Sequence, residues 1–355
     1  MAYLPEPQFP AGKSDLVPRR GTLVTVGRST KYRFTRLVDT VLEVLPMLPQ
    51  PVFIQHAGLP PESLRGLTGV DMLSHDAFHQ RMRSAELLIS HAGAGTILEA
   101  LRAGIPAVVM ARRPELGEIA DGHQLELAET LSRLGLVEAV TDAPALRSIL
   151  GTMERRRRPL GDPLNQRQLV ERVRIDIASL LRRGVRPRIA LVASSGGHMT
   201  ELLELRAAYE GIPHFYVASD RLPSGGPGES IHVFPSADRD WRVVRNVPAI
   251  LRMLLKERPG IVLSTGSSSA VPVIVLARLM GARVIYVESL TRVLHPSLTA
   301  RVVYPVSDSF IVRWPDVARP FRRALVMAAG PIPADEAPAR EIGTAPPPFG
   351  HRGGA

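Results

Sequence analysis

The chain has 355 residues, more than one ordinary domain holds and suited to two; at 45% hydrophobic and 22% charged it excludes wholesale disorder. It contains no cysteine, which excludes a disulfide framework and any thiolate metal cluster. The net charge is +10 and only three of the 44 basic residues are lysines, so the excess is arginine; its planar fork suits phosphate and diphosphate, and genome base composition would produce the same bias.

The opening residues to about Arg20 are rich in Pro and Gly and read as flexible (1–20). They show no positive patch followed by an apolar stretch, so the sequence gives no secretory signal. No run of about 18 apolar residues follows anywhere, and the expectation is a cytoplasmic protein. From there Thr22–Val26, Val52–Gln55, Glu86–Ser90 and Ala107–Met110 read as strands. Helical periodicity falls at Phe34–Leu45, Ile97–Ala103 and Gln124–Leu134. That alternation marks βαβ units around a parallel sheet and defines a first Rossmann-like domain, 21–160.

A boundary is expected at Glu154–Arg158 with Pro159, Gly161 and Pro163, followed by a connector (161–185) whose helix is Asn165–Arg183. The pattern then restarts over a second domain, 186–330. Strands are expected at Arg188–Ala193, His214–Ala218, Ile261–Ser264 and Arg283–Val287, and helices at Thr200–Ala208, Ala249–Lys256 and Ala270–Leu279. The tail, 331–355, again reads as disordered. Two such domains in tandem define a cleft.

Four turns follow expected strands and open expected helices: Gly27–Thr30, His91–Thr96, Ser194–His198 and Ser264–Ser269. Each joins glycine to hydroxyls, and amides at a helix start favour an anion. Nucleotide-binding rivals fail on spacing. The Gly93–Gly95 pair has leucine at 98 where a dinucleotide fingerprint needs glycine, and Gly12-Lys13-Ser14 has proline at 7 where a phosphate loop needs glycine. In Ser90–Glu99, Glu99 is placed in the first helical turn. There it either takes the hydroxyls of a ribose or complements the helix dipole.

These residues carry a resemblance. SHAGAGTILEALRAGIPAVVMARRPELGEIADGHQLELAETLSRLG, within Glu86–Gly135, resembles the donor-binding half of family 28 glycosyltransferases. Within that family it is most similar to the catalytic subunit of the eukaryotic UDP-GlcNAc transferase acting on dolichol diphosphate. VASSGGHMTELLEL, STGSSSAVPVIVLARLMGARVIYVES and LTARVVYPVSDSFIVRWPDV resemble its membrane-recruiting partner subunit. Bacterial exopolysaccharide transferase pairs, some moving glucuronate, share both halves. The resemblance implies an α/β chain of GT-B type with the two halves fused and the order permuted, donor domain first.

It further implies an inverting transfer from a UDP-sugar, GlcNAc foremost, to a polyprenyl-diphosphate-linked saccharide. No metal or other cofactor and no nucleic acid are implied, and an anionic membrane surface on the inner face of the plasma membrane is a candidate partner. On the donor side stand Gly27, Arg28, His91, Gly93, Ala94, Gly95, Thr96, Glu99, Arg112, Asp121, His123 and Gln124. On the acceptor side stand Ser195, Gly196, Gly197, Thr265, Gly266, Ser267 and Arg292. His198 and Glu288 are the two candidates for the base that deprotonates the acceptor hydroxyl, or Glu288 orients His198. His79, with His56 and His75, reads as structural or exposed. Arg242–Arg258 is either a basic amphipathic stretch lying on a membrane or a helix packed on the sheet, with Pro248 kinking or starting it. A UDP-sugar 2-epimerase is the rival enzyme. A basic nucleic-acid binder is the non-enzymatic rival, and the 5% aromatic content lacks the pattern it needs.

Overall fold

The computed structural model describes residues 19–27, 32–119, 122–152, 162, 164–194, 196–219, 230–234 and 245–328. Arg28, Asp121 and Ser195, the Glu154–Arg158 linker, the first part of the Arg242–Arg258 stretch and both expected flexible tails lie outside those residues, Arg19 and Arg20 excepted.

The first unit runs β1 (Thr22–Thr25), α1 (Thr35–Glu43), β2 (Val52–Gln55), α2 (Pro61–Leu64), β3 (Thr68–Val70), α3 (His75–Ser84), β4 (Leu87–His91), α4 (Ala94–Arg102), β5 (Ala107–Met110), α5 (His123–Arg133), β6 (Glu138–Ala139) and α6 (Ala143–Leu150). Its strands stand in the order β3-β2-β1-β4-β5-β6, all neighbours parallel. The second unit opens with α7 (Gln166–Arg182) and β7 (Ile189–Ala193), then α8 (Gly197–Leu203), α9 (Arg206–Tyr209), β8 (His214–Ala218) and β9 (Ile231–Val233). It continues through α10 (Val247–Glu257), β10 (Ile261–Gly266), α11 (Ala270–Leu279), β11 (Arg283–Val287), α12 (Leu298–Val303), β12 (Ser309–Val312), α13 (Pro315–Ala318) and β13 (Leu325–Val326). These strands order as β13-β12-β11-β10-β7-β8-β9, again parallel.

Counted from its own first strand, the second sheet repeats the first and adds one strand at the far edge. In each, the winding reverses where the first strand pairs with the fourth: β1 with β4, and β7 with β10. The chain leaves such a pair toward opposite faces, which opens a crevice beyond the carboxyl ends of the strands. The four glycine-rich turns follow these four strands. Topology therefore gathers them in two places, one per sheet. The central strands β1, β5, β7 and β10 are buried along their whole length, as strands covered on both faces must be.

Several elements differ from the sequence expectation. The short strands β3, β6, β9, β12 and β13 were not foreseen, because two to four residues cannot display a period. The helix expected over Thr200–Ala208 is two, α8 and α9, parted at Glu204–Leu205; the break lets Leu205 and Tyr209 both enter the core. Helix α4 begins at Ala94, so Glu99 lies in its second turn and not its first. Pro248 stands at the start of α10, where its missing N–H costs nothing.

Helix α7 packs on the second sheet rather than bridging the two units. Leu169, Val170, Val173, Ile177 and Leu180 share a core with β7, β8, β10 and β11. Buried Arg313 fixes its start, donating from Nη1 to Gln166 Oε1 (2.9 Å), from Nε to the Met327 carbonyl (3.2 Å) and from Nη2 to the Leu164 carbonyl.

The two units meet along α4 and α8. A Cβ built on Gly95 would stand 2.6 Å from Thr200 Cγ2, so only glycine permits this approach. At the other end of both helices Arg102 pairs with Glu204. The contact at both ends sets α4 and α8 side by side with their N-termini pointing the same way.

Candidate active site

In the first unit the site is built on the ends of β1 and β4. Buried Gln55 ties the end of β1 to the segment before α3: its amide nitrogen donates to Thr25 Oγ1 (3.2 Å) and the Gly27 carbonyl (3.1 Å), and its oxygen accepts from the Leu73 amide (3.0 Å). Gly27 takes φ +92°, and a side chain there would stand 2.7 Å from His91 Nε2; one on Gly93 would strike the same ring. His91 is thus wedged beneath both turns. Burial, with Arg112 and His123 nearby, holds its imidazole down to about 3, so the ring is neutral at physiological pH. The glycines serve the packing of His91 as well as any ligand.

Arg112, expected at the donor diphosphate, is a strut. It is buried, with Nη2 donating to the Val26 carbonyl (2.7 Å) and Nη1 to the Glu118 carbonyl (3.4 Å). Its backbone amide donates to Gln124 Oε1 (3.3 Å), which fixes the start of α5. Glu118 in turn takes a two-pronged contact from Arg36 (3.0 and 2.7 Å). Glu99 is 8% exposed and faces His79 of α3, Oε1 to Nδ1 2.6 Å. A cavity of about 980 Å³ runs along α3 and is lined by Leu73, Asp76, His79 and Gln80 among others.

In the second unit the ends of β7 and β10 do the same work. The pairing slips by one residue between Ser264 and Gly266, and this bulge turns the Thr265 carbonyl to His198 Nδ1 at 2.9 Å. Thr265 Oγ1 donates back to the His198 carbonyl (2.7 Å). Gly266 takes φ +104°, where a side chain would stand 3.5 Å from the His198 ring, and Ser267, at φ +95°, is a strained non-glycine residue in the same turn. Only the protonated Nδ1 can bond a carbonyl, so the His198 lone pair is on Nε2. Burial pushes this imidazole down to about 4, with Arg292 and His123 adding to the shift. A side chain on Gly196 or Gly197 would meet nothing within 4 Å, so the turn in front of His198 is open.

Glu288, expected as base or orienter, has both oxygens occupied. Oε1 accepts from the Ser289 amide (3.0 Å) and Tyr286 hydroxyl (3.4 Å), and Oε2 from the Ser297 amide (3.1 Å) and hydroxyl (2.9 Å). A carboxylate holding four donors anchors a loop and is poorly placed to take a proton. Burial raises its pKa, the hydrogen bonds from Ser297 and Ser289 opposing. Glu201 of α8 holds the same loop from the other side, accepting from Ser289 Oγ (2.7 Å) and the Leu290 amide (3.1 Å). The anchored loop, 289–297, carries Arg292, whose charge acts on His198.

The halves converge on α5. His123, in the first turn of that helix, lies near enough to influence both His91 and His198. The Leu294 amide of the second unit donates to Glu126 Oε2 of the same helix (3.3 Å). His91, His123, His198 and Arg292 thus lie around one interdomain site, with the N-termini of α4 and α8 beside it. Among the described residues no group of three His, Asp or Glu stands as metal ligands would. His79, Thr200, Glu201, Ser289 and Ser297 were missed from sequence. Thr200, Glu201 and Ser289 lie within the stretches that carry the resemblance, but only packing gives them partners.

The fold and site define a two-domain α/β transferase scaffold of GT-B type. Residues 22–159 match the glycosyltransferase family 28 C-terminal domain, and residues 241–329 match the family described as oligosaccharide biosynthesis protein Alg14 like. Each match covers less than half of the chain, one on either domain. His198 lies between the two matched segments. The UDP-N-acetylglucosamine transferase subunit ALG14 of Eremothecium gossypii is 33% identical over 127 residues, covering 34% of this chain and 54% of that protein. The chain thus spans about half the length of that relative. The human protein of the same name is 25% identical over 174 residues, 39% of this chain and 81% of that one. Among solved structures, ALG13 in solution overlaps 41% of this chain and 90% of its own at 20% identity and a TM-score of 0.32. The fold assignment rests on the two sheets themselves.

Proposed function

We propose that the chain transfers a sugar, GlcNAc foremost, from a UDP-sugar to a saccharide on a polyprenyl diphosphate, with inversion and without a metal. The observation that carries this reading is the meeting of His198, held as a neutral imidazole with its lone pair on Nε2, with His123 and Arg292 at the junction of the two domains. The donor side is Gly27, Gly93, Ala94, Gly95, Thr96, Glu99, His123 and Gln124, and the acceptor side is Gly196, Gly197, Thr265, Gly266, Ser267 and Arg292. Arg28, Asp121 and Ser195 complete these sets by resemblance.

The departing diphosphate sits at the N-terminus of α4, whose first amides have no partner within the helix. His198 Nε2 takes the proton of the acceptor hydroxyl as that oxygen attacks the anomeric carbon, and the UDP–sugar bond breaks toward the diphosphate. Arg292, presented by the loop that Glu201 and Glu288 anchor, faces the acceptor diphosphate. Glu288 acts by positioning, and Arg112 by holding β1 to α5.

Leu294, Leu298 and Val302 are 45%, 70% and 45% exposed on and beside α12, next to this loop, with exposed Arg301 among them. They form the apolar approach for the prenyl chain and a peripheral contact with an anionic membrane. No helix among the described residues is long and apolar enough to cross one. Helix α10 buries Ile250, Met253 and Leu254 against the sheet, which leaves Arg252, Lys256 and Leu255 outward.

The test is release of UDP from a panel of UDP-sugars, with and without a polyprenyl-diphosphate-linked sugar. Release that requires the acceptor supports the reading, and the preferred sugar separates GlcNAc from glucuronate. Acceptor-independent turnover would replace it with the epimerase.

A further inference from the structure

We infer that His79 positions Glu99 for the ribose of the donor, so that α3, which carries no glycine-rich motif, sets the selectivity of the site for a ribonucleotide. The inference rests on the donor reading above. Glu99 lies in the second turn of α4, about 7 Å below the helix start where the diphosphate is placed. That is roughly the span from a diphosphate to the hydroxyls of its ribose. Its carboxylate is nearly buried, and one oxygen, Oε1, meets His79 Nδ1 at 2.6 Å.

A buried carboxylate with a single bond to the backbone of its helix would swing between rotamers. A ring nitrogen in contact with one oxygen restricts that freedom and leaves Oε2 as the acceptor for a hydroxyl. His79 also forms part of the wall of the cavity of about 980 Å³ along α3, which is large enough for a nucleoside. His79 therefore stands both in the cavity wall and against Glu99. The side chains are 28% and 10% exposed, so the pair is largely shielded from solvent.

The experiment compares UDP with 2′-deoxy-UDP by calorimetric titration of the full chain, in wild type, His79→Ala, His79→Asn and Glu99→Ala. Asparagine places an N–H donor at the position of Nδ1. The expected result is discrimination of roughly ten-fold or more in favour of UDP in wild type. It should largely disappear in His79→Ala and Glu99→Ala and return in His79→Asn. A double variant His79→Ala/Glu99→Ala should be no worse than Glu99→Ala alone. Full discrimination in a folded His79→Ala protein overturns the inference and leaves the donor reading standing. Failure of wild type to bind UDP overturns both. If His79→Ala does not fold, His79→Phe tests the same point by keeping the ring volume and removing the donor, with the same two outcomes.

Discussion

Gly95 of α4 and Thr200 of α8 stand so close that the smallest side chain on the first would overlap the second, Cγ2 at 2.6 Å and Cβ at 2.9 Å. A glycine expected only as an anion-binding turn therefore also sets how the two domains dock. Alanine would gain at most about 1 kcal/mol of helix propensity there, against about 1–3 kcal/mol for overpacking. Gly95→Ala is expected to destabilise. Thr200→Gly should restore the loss in the double variant, while Thr200→Ala should not, because Cβ remains. Urea denaturation of the set decides it; a stabilised Gly95→Ala protein would refute the docking argument.

The same contact ends on Arg102 and Glu204, a pair whose acidic partner is buried and whose arginine is half-exposed. Removing the arginine leaves an unmatched carboxylate between domains, a cost of about 1–2 kcal/mol once solvent screening of the exposed partner is allowed for. Arg102→Ala should lower the urea midpoint and broaden the transition as the domains begin to unfold separately. An unchanged midpoint would count the pair as ornamental.

His198 must be neutral to accept a proton. Since its folded pKa is down near 4, the neutral form already dominates at pH 6. Turnover should therefore be nearly level from about pH 6 upward and fall only at acid pH. His198→Ala should lower kcat by roughly 10²–10⁴ while UDP affinity stays within about two-fold. A rise centred near pH 6.5, the value of a free imidazole, would remove His198 from the role.

Burial pushes Glu201 up to about 7, with the Ser289 hydroxyl and Leu290 amide opposing and Arg313 and Glu288 acting from nearby. The folded chain then holds this proton more tightly than the unfolded chain. Its contribution to stability is complete below the unfolded value near 4.5 and is lost as pH rises through 7. Denaturation at pH 5 and pH 8 should show a loss in wild type that Glu201→Gln largely abolishes. An equal loss in both proteins would assign the slope elsewhere.

Replacing exposed Leu298 and Val302 with glutamate adds charge where nothing is buried, so folding should change by less than about 0.5 kcal/mol. Co-sedimentation with vesicles containing anionic lipid should fall at least about five-fold. Retained binding would move the membrane contact away from α12.

The sequence was most informative where the physics is local. Ala107–Met110 is a continuous apolar run of the kind a doubly covered parallel sheet requires, and its bounds, like those of Val52–Gln55, agree with the structure. The four glycine-rich turns were legible because each needs small residues between a strand and a helix. Short edge strands were not, since hydrogen bonds to a neighbour define them and no sequence period does.

The sequence by itself determined two βαβ domains, the turns that end their inner strands and the kind of chemistry those turns serve. Only the tertiary structure decided which side chains do what. Arg112 became a buried strut because the Val26 carbonyl at the end of β1 needs a donor. Glu288 became a loop anchor because four donors converge on it. His79 acquired its significance from Glu99, twenty residues further on, and Gly95 from Thr200 in the other domain. Hydrophobic period and turn chemistry act over a few residues and can be read in order. The partner of a buried polar group is chosen by packing between elements far apart in the chain, and no spacing records it.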